Sequence, residues 1–304
     1  MKIPRYLKKG DTIGIAAPAR KISLEEIQPT ITLFETMGYS VLFEETLFAK
    51  ENQFAGGDQI RKEGFQHLLD NPNVSAIICA RGGYGSARII DLLDFSTFQK
   101  NPKWICGYSD ATVFHCHIHQ NYNIATLHST MPINIGNDKK GSESAQQIIA
   151  FLEGKMMNYQ IDTHPLNRKG EAEGVLVGGN LSILYSLNGT SSDLDTADKI
   201  LFIEDLDEYL YHIDRMVLNL KRSGKLSHIK GLIVGGMSEM RDNTIPFGIN
   251  AEQIIRNHCE LFDFPICFGF PAGHISDNRP LKLGVNVRFS VSEKGSFLIE
   301  KNIL

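Results

Sequence analysis

A serine occupies the place in the chain where a nucleophile would be displayed. The segment GYSDA, Gly107 to Ala111, directly follows the apolar run KWICG and directly precedes a stretch with helical character. In the G-x-S-x-G nucleophile elbow, a sharp turn from strand to helix exposes the serine hydroxyl at the carboxyl edge of a sheet. Ala111 replaces the last glycine of that pattern and is still small enough for a tight turn. The alternative is that Ser109 and Asp110 only cap the helix.

A serine nucleophile needs a base, and the base needs an acid that orients it. Of ten histidines, His274 stands out because it lies in the Gly/Pro-containing loop FGFPAGHISDN after an apolar run. Glu204 ends the apolar segment KILFIE. The order Ser, Glu, His along the chain is that of α/β-hydrolases, although triads occur in several orders. The alternative for Glu204 is a solvated carboxylate in the acidic cluster that precedes a helix.

A glycine-rich segment, RGGYGSAR (81–88), also lies between an apolar run and a helical stretch. Its backbone N–H groups can approach an anionic oxygen closely, which suits either a second oxyanion-hole donor or a phosphate. The dinucleotide fingerprint G-x-G-x-x-G fits only as far as Ala87, because Arg88 takes the sixth position. A nucleotide-binding protein that catalyses nothing is therefore the alternative from another functional class.

Three histidines in HCHIH (115–119) raise the question of a metal. On a helix His115 and His119 share a face and His117 does not, and no HExxH pattern is present. A partly buried helix with incidental histidines is the simpler interpretation, so no metal and no cofactor are expected. A metallohydrolase that uses this helix is the third alternative.

The order of apolar and amphipathic segments predicts an α/β fold with two domains. In the first half, short apolar runs alternate with helical segments, which predicts a parallel sheet with helices on both faces. After a polar stretch, apolar runs dominate, and only 208–223 and 250–260 have clear helical character. We therefore predict an N-terminal parallel-sheet α/β domain at 1–153, a linker at 154–170 and a C-terminal strand-rich domain at 171–304.

Composition narrows the class of partner and the compartment. The net charge of −4 gives no basic surface for nucleic acid, and no apolar run approaches the roughly 18–20 residues that cross a bilayer. The first residues lack the apolar core of a signal peptide. The five cysteines are widely spaced and include no CxxC pair, which argues against a disulfide framework. We expect a cytoplasmic protein that binds neither nucleic acid nor membrane.

Taken together, the segments resemble the LD-carboxypeptidase family of serine peptidases, whose relatives include the microcin C immunity peptidases. The resemblance extends over most of the chain, and the order and spacing of its segments are more specific than any one motif. The matching segments are GDTIGIAAPA (10–19), ARGGYGSARIIDLLD (80–94), GYSD (107–110), GVLVGGNLSIL (174–184), LFIEDLDEYLYHIDRMVLNLKRSG (201–224), GLIVGGM (231–237) and GHISDNRPLKLGV (273–285).

The resemblance implies a role for individual residues. It makes Ser109 the nucleophile, His274 the general base and then acid, and Glu204 the carboxylate that orients the histidine. The backbone N–H groups of Gly83 and Asp110 would form the oxyanion hole. For recognition of the substrate's carboxylate, the candidates are Arg81 and Asn180.

The resemblance also implies an activity. It is a metal-independent serine carboxypeptidase that cleaves an L,D-peptide bond and releases D-alanine from a cytosolic murein tetrapeptide during peptidoglycan recycling. A homodimer is implied as well. The motifs leave open a second substrate, the peptidyl–nucleotide cleaved by the immunity branch. Rings placed to stack on a base would favour it, and the sole tryptophan, Trp104, lies in a predicted strand.

Overall fold

The computed structural model describes residues 1–301, in which strands and helices alternate along most of the chain. The strands are β1 (Thr12–Ala16), β2 (Ser40–Leu42), β3 (Val74–Cys79), β4 (Trp104–Gly107), β5 (Thr126–His128), β6 (Asn158–Ile161), β7 (Gly170–Asn180), β8 (Lys199–Leu206), β9 (Gly231–Ser238), β10 (Ile266–Cys267), β11 (Leu281–Leu283), β12 (Asn286–Ser292) and β13 (Gly295–Glu300). The α-helices are α1 (Leu24–Thr36), α2 (Asp58–Asp70), α3 (Ser86–Ile89), α4 (Ser96–Lys100), α5 (Thr112–Tyr122), α6 (Lys139–Leu152), α7 (Leu181–Leu187), α8 (Leu210–Arg222) and α9 (Ala251–His258).

The first of two compact units contains Met1–Lys155 and the short segment Arg279–Lys282. Its six-stranded sheet has the order β11-β5-β4-β3-β1-β2, and the strands from β1 to β5 are parallel. Helix α1 packs against α6, whereas α2 packs against α3 and α4, so the helices form separate layers. The predicted parallel sheet with helices on both faces is confirmed.

Local sequence explains where the elements of this unit begin and end. Ser23 caps α1 in a capping box with Glu26, and Gly38, at φ +88°, follows its last turn. Every residue of β3 is buried, as expected of a central parallel strand that is covered on both faces. The rings of Phe65 on α2 and Phe114 on α5 stack with centroids 4.4 Å apart, so these two helices pack directly against each other.

The second unit contains Met156–Asn278 and the described residues from Leu283 to Lys301. Its seven-stranded sheet has the order β10-β9-β8-β7-β12-β13-β6. Strands β7 to β10 are parallel, and β12, β13 and β6 extend the sheet in antiparallel fashion. This confirms the predicted strand-rich C-terminal domain.

Several elements differ from the sequence prediction. The predicted linker 154–170 includes β6, an edge strand that tolerates a polar sequence because it pairs only with β13. The segment Arg279–Lys282 groups with the first unit because β11 extends the first sheet. Helix α7 was missed because its seven residues, LSILYSL, are too few and too apolar to show a helical period.

The helices contain no candidate for a membrane span. Among residues 1–301, no helix combines the length and the apolar character that crossing a bilayer requires.

Packing of β7 against β8 provides a test of the second unit. A Cβ at Gly178 (φ +128°) would lie 1.9 Å from the Phe202 carbonyl oxygen, whereas one at Gly189 (φ +82°) would meet no atom within 4 Å. We expect Gly178→Ala to lower the free energy of unfolding by about 3 kcal/mol, since it adds overpacking to backbone strain. Gly189→Ala should cost about 1 kcal/mol. Urea denaturation followed by circular dichroism measures both; equal losses would contradict this packing.

Candidate active site

Ser109 has the strained backbone of a nucleophile elbow. One residue separates it from the end of β4. Its φ of +59° is a left-handed conformation that non-glycine residues rarely adopt. A 3₁₀ turn, Ser109–Ala111, then leads into α5. Such strain persists only where the surrounding structure enforces it, and it is concentrated at functional sites. The conformation therefore favours the nucleophile interpretation of Ser109 over simple helix capping.

Asp110 connects the elbow to the glycine-rich loop. Its carboxylate is buried, and its Oδ2 accepts a hydrogen bond of 2.8 Å from the backbone N–H of Ser86. Burial raises the pKa of Asp110, against the opposing effect of this hydrogen bond. Since β3 and β4 are adjacent and parallel, the loops that follow them meet at one edge of the sheet. Asp110 thus fixes one loop relative to the other.

Glycines allow the loop after β3 to approach the serine closely. A Cβ at Gly82 would lie 3.0 Å from Ser109 Oγ, and Gly83 has φ +109°. The backbone N–H of Gly83 forms no hydrogen bond with any other group in residues 1–301. The buried guanidinium of Arg61 donates to the Gly85 carbonyl at 2.9 Å and so anchors the other end of the loop.

One of the three histidines on α5 supports the elbow from behind. His115 is buried, and its Nε2 lies 2.9 Å from the carbonyl oxygen of Gly107, the last residue of β4. Burial lowers the pKa of His115 to about 4, so the ring is neutral and Nε2–H is the donor. Within residues 1–301, no three His, Cys, Asp or Glu side chains are grouped as metal ligands would be.

In the second unit, a bulge in β9, directly opposite Glu204, sets the position of that residue. Ile203 pairs with Val234 and Asp205 with Met237, so β9 has an extra residue opposite Glu204. The extra length comes from Gly235 and Gly236, whose added Cβ atoms would collide with neighbouring residues. An added Cβ at Gly235 would lie 3.2 Å from Glu204 Cβ, so the glycines of GLIVGGM leave room beside the buried Glu204 side chain.

Glu204 and His274 form a buried acid–imidazole pair. His274 Nδ1 lies 2.7 Å from Glu204 Oε2, which also accepts the His274 backbone N–H at 3.1 Å. The carboxylate therefore fixes the tautomer with Nδ1–H and leaves Nε2 as the basic nitrogen. Burial alone would lower the pKa of His274, but the hydrogen bond to Glu204 and the charges of Glu204 and Asp205 outweigh it and raise the pKa. The loop needs Gly273, since a Cβ there would lie 2.5 Å from Glu204 Oε2.

Asp205 is a second buried carboxyl group beside this pair. It accepts hydrogen bonds of 2.9 Å from Asn180 Nδ2 and from the backbone N–H groups of Ser182 and Leu206. Burial, and secondarily the charge of Glu204, raises the pKa of Asp205 to about 7. The oxygen of the Asn180 amide caps α7. The Asn180 side chain therefore organises the carboxyl ends of β7 and β8.

The structure thus brings together Ser109, Asp110 and Gly83 in the first unit, and Glu204 with His274 in the second. Arg81 lies at the start of the glycine-rich loop, with its guanidinium 3.7 Å from Glu26 Oε1. Sequence reasoning missed the supporting roles of Asp205, His115 and Arg61. Of these three, only Asp205 could have been suspected from the sequence, because it follows Glu204 directly in the acidic cluster.

Family models match both halves of the chain. The model of the LD-carboxypeptidase N-terminal domain matches residues 13–129, and that of the LD-carboxypeptidase C-terminal domain matches residues 173–289. Among curated proteins, the chain is 34% identical to the probable murein peptide carboxypeptidase of Bacillus subtilis (strain 168), with 96% of this chain and 92% of the relative covered.

Solved structures agree with this. The muramoyltetrapeptide carboxypeptidase from Oxalobacter formigenes superposes with a TM-score of 0.87 at 26% identity, over 96% of this chain and 99% of that one. The microcin C7 self immunity protein MccF, solved in complex with aspartyl sulfamoyl adenosine, superposes with a TM-score of 0.86 at 20% identity, over 98% of each chain. At this identity the match shows only that the fold is shared. The chain is a serine carboxypeptidase and belongs to the LD-carboxypeptidase family.

The contact between Glu204 and His274 leads to a prediction for the pKa of His274. Replacing Glu204 by Gln removes the ionised hydrogen-bond partner and the larger of the two charges that raise the pKa of His274, and it leaves the burial that lowers this pKa. We expect the pKa of His274 to lie above about 6.5 in the wild type and below it in Glu204→Gln. NMR of labelled histidine side chains, with the resonance assigned from a His274→Asn spectrum, measures both.

A matched control is Glu208→Gln, because Glu208 Oε2 lies 2.6 Å from His212 Nδ1 in a similar pair. This substitution should leave the pKa of His274 unchanged. An unchanged pKa in Glu204→Gln would show that the pairing described here is wrong.

Proposed function

We propose that this carboxypeptidase cleaves an L,D-peptide bond and releases D-alanine from a murein tetrapeptide, as a step of peptidoglycan recycling in the cytoplasm. The observation that carries the chemistry is the Nδ1–Oε2 contact of 2.7 Å between His274 and a fully buried Glu204. The substrate is supported by relatives whose names specify murein peptides, including the murein tetrapeptide carboxypeptidase of Pseudomonas aeruginosa, which is 24% identical over 90% of this chain.

In the proposed acylation step, Ser109 Oγ attacks the scissile carbonyl and His274 Nε2 accepts its proton. Glu204 stays ionised and stabilises the imidazolium, as the acid of a serine triad does. The C–N bond then breaks, and the imidazolium gives its proton to the departing amine of D-alanine. The raised pKa of His274 makes its Nε2 a better proton acceptor, and the imidazolium so formed is the acid that protonates the amine.

In the second step, water resolves the acyl-enzyme. His274 takes a proton from the water, the hydroxide attacks the ester carbonyl, and Ser109 Oγ leaves with that proton. The shortened peptide departs with a new carboxyl group, and the enzyme returns to its starting state. No other reactant is consumed.

The backbone N–H groups of Gly83 and Asp110 are the proposed oxyanion hole. Both belong to the loops that meet beside Ser109 at the carboxyl edge of β3 and β4. A donor in such a position stabilises the developing negative charge by about 3–4 kcal/mol. Substitution of Gly83 should be harmful in any case, since its φ of +109° is a backbone conformation that residues with a side chain rarely adopt.

A peptidyl–nucleotide remains the alternative substrate because the triad chemistry suits it equally well. The sole tryptophan is not available to stack on a base, in agreement with its predicted place in a strand. Trp104 is buried and donates its Nε1–H to the Arg5 carbonyl at 3.1 Å. We therefore rank the murein peptide first and include the nucleotide conjugate as a second substrate in the test.

The test is release of D-alanine from purified murein tetrapeptide, compared between the wild type and Ser109→Ala. Loss of the nucleophile should lower kcat by about 10⁴-fold or more, because the histidine and glutamate cannot act without it. The matched control Ser96→Ala, at an exposed position in the same unit, should keep wild-type kcat. Activity that persists in folded Ser109→Ala would refute the mechanism. Cleavage of the nucleotide conjugate alone would refute the murein substrate.

A further inference from the structure

Four arginines lie in the glycine-rich segment of the first unit or beside it, and three of them are paired. The pairs are Arg61 with Asp58, Arg88 with Asp58, and Arg81 with Glu26. The fourth is Arg20. Within residues 1–301 its guanidinium forms neither a hydrogen bond nor an ion pair. It is therefore the cation of this group that is available to an anionic ligand.

The backbone around Arg20 is held in place on both sides. The Ala55 N–H donates to the Ala19 carbonyl at 3.1 Å, and the Lys21 N–H donates to the Gln53 carbonyl at 3.0 Å. Arg20 itself forms a β-bridge with Phe54. The arginine thus extends from an ordered backbone, although its side chain is exposed.

The Arg20 side chain lies against the loop that borders the nucleophile. A Cβ at Gly83 would be 2.5 Å from Arg20 Cδ and 2.6 Å from its Nε, so the arginine packs directly on the Gly83 backbone. A Cβ at the preceding residue, Gly82, would in turn lie 3.0 Å from Ser109 Oγ. Arg20, this loop and Ser109 follow β1, β3 and β4, which are neighbouring parallel strands, so all three lie at one edge of the sheet.

This placement matches a geometric requirement of carboxypeptidase substrates. The free carboxylate belongs to the leaving residue, and one residue spans at most about 3.6 Å of chain. A group that binds the carboxylate must therefore lie beside the oxyanion hole. A guanidinium suits this role because it donates two parallel hydrogen bonds to a carboxylate.

We propose that Arg20 binds the free terminal carboxylate of the substrate and thereby restricts the enzyme to cleavage at the end of a peptide. The proposal rests on the proposed function. It differs from the sequence-based candidates, since the Arg81 guanidinium faces Glu26 and the Asn180 amide is engaged with Asp205 and α7.

The test compares two substrates that differ only at the carboxylate. One is the murein tetrapeptide with free terminal D-alanine, and the other is the same peptide ending in D-alaninamide. Each is assayed with the wild type, Arg20→Gln and Arg20→Lys. The matched control Lys21→Gln removes one positive charge from the adjacent exposed position. Labelling of Ser109 by a fluorophosphonate, which carries no carboxylate, reports separately on the nucleophile.

We expect the wild type to prefer the free acid. Arg20→Gln should lower kcat/KM for the acid by about 10- to 100-fold, the size of a lost charged hydrogen bond, and leave that for the amide unchanged. Arg20→Lys should retain part of the preference for the free acid, and Lys21→Gln should retain all of it. Labelling of Ser109 by the fluorophosphonate should be equal in every variant.

Other results would overturn the proposal. If Arg20→Gln kept the wild-type preference, or lost activity equally on both substrates, Arg20 would not bind the carboxylate. In either case the proposed function would stand, because the wild type releases D-alanine. A wild type that cleaved neither substrate would instead refute the proposed function, and this inference with it.

Discussion

The left-handed backbone of Ser109 is the constraint on which the candidate site of the first unit depends. A residue with a side chain costs roughly 1–2 kcal/mol in this conformation, so neighbouring structure must impose it. The Gly107 carbonyl, one residue from the turn, accepts hydrogen bonds from His115 Nε2 and from the Ser129 N–H at 3.1 Å. The absence of a side chain at Gly107 is equally necessary for this turn, because a Cβ there would lie 2.9 Å from Ala111 Cβ.

Each unit places its proposed functional groups by the same topological rule. In a parallel sheet the carboxyl ends of neighbouring strands converge, and the loops that follow them can share a site. In the first unit these loops contain Ser109, Gly83 and Arg20. In the second, Glu204 lies near the end of β8, and His274 lies in the loop after β10. Glycines then remove the side chains that would prevent close approach.

The sequence predicted the elbow and the two sheets because their signals are local. GYSDA lies between a strand and a helix, and each early strand is a short apolar run. The supporting groups could not be predicted, because they act across long distances in the chain. His115 looked like an incidental helical histidine until the fold placed its ring against Gly107. Arg20 belongs to no motif, and it became a candidate binding residue only because the fold places it against Gly83, 63 residues away. Strand β6 was missed because edge strands lack an apolar pattern.

The most direct test of the account is the acyl-enzyme itself. Rapid quenching of the wild type with murein tetrapeptide, followed by proteolysis and mass spectrometry, would locate any adduct. The account predicts a transient mass increase, equal to the tetrapeptide acyl group without D-alanine, on the proteolytic fragment that contains Ser109. D-alanine release in a single turnover with no adduct on that fragment, or an adduct on another residue, would contradict it.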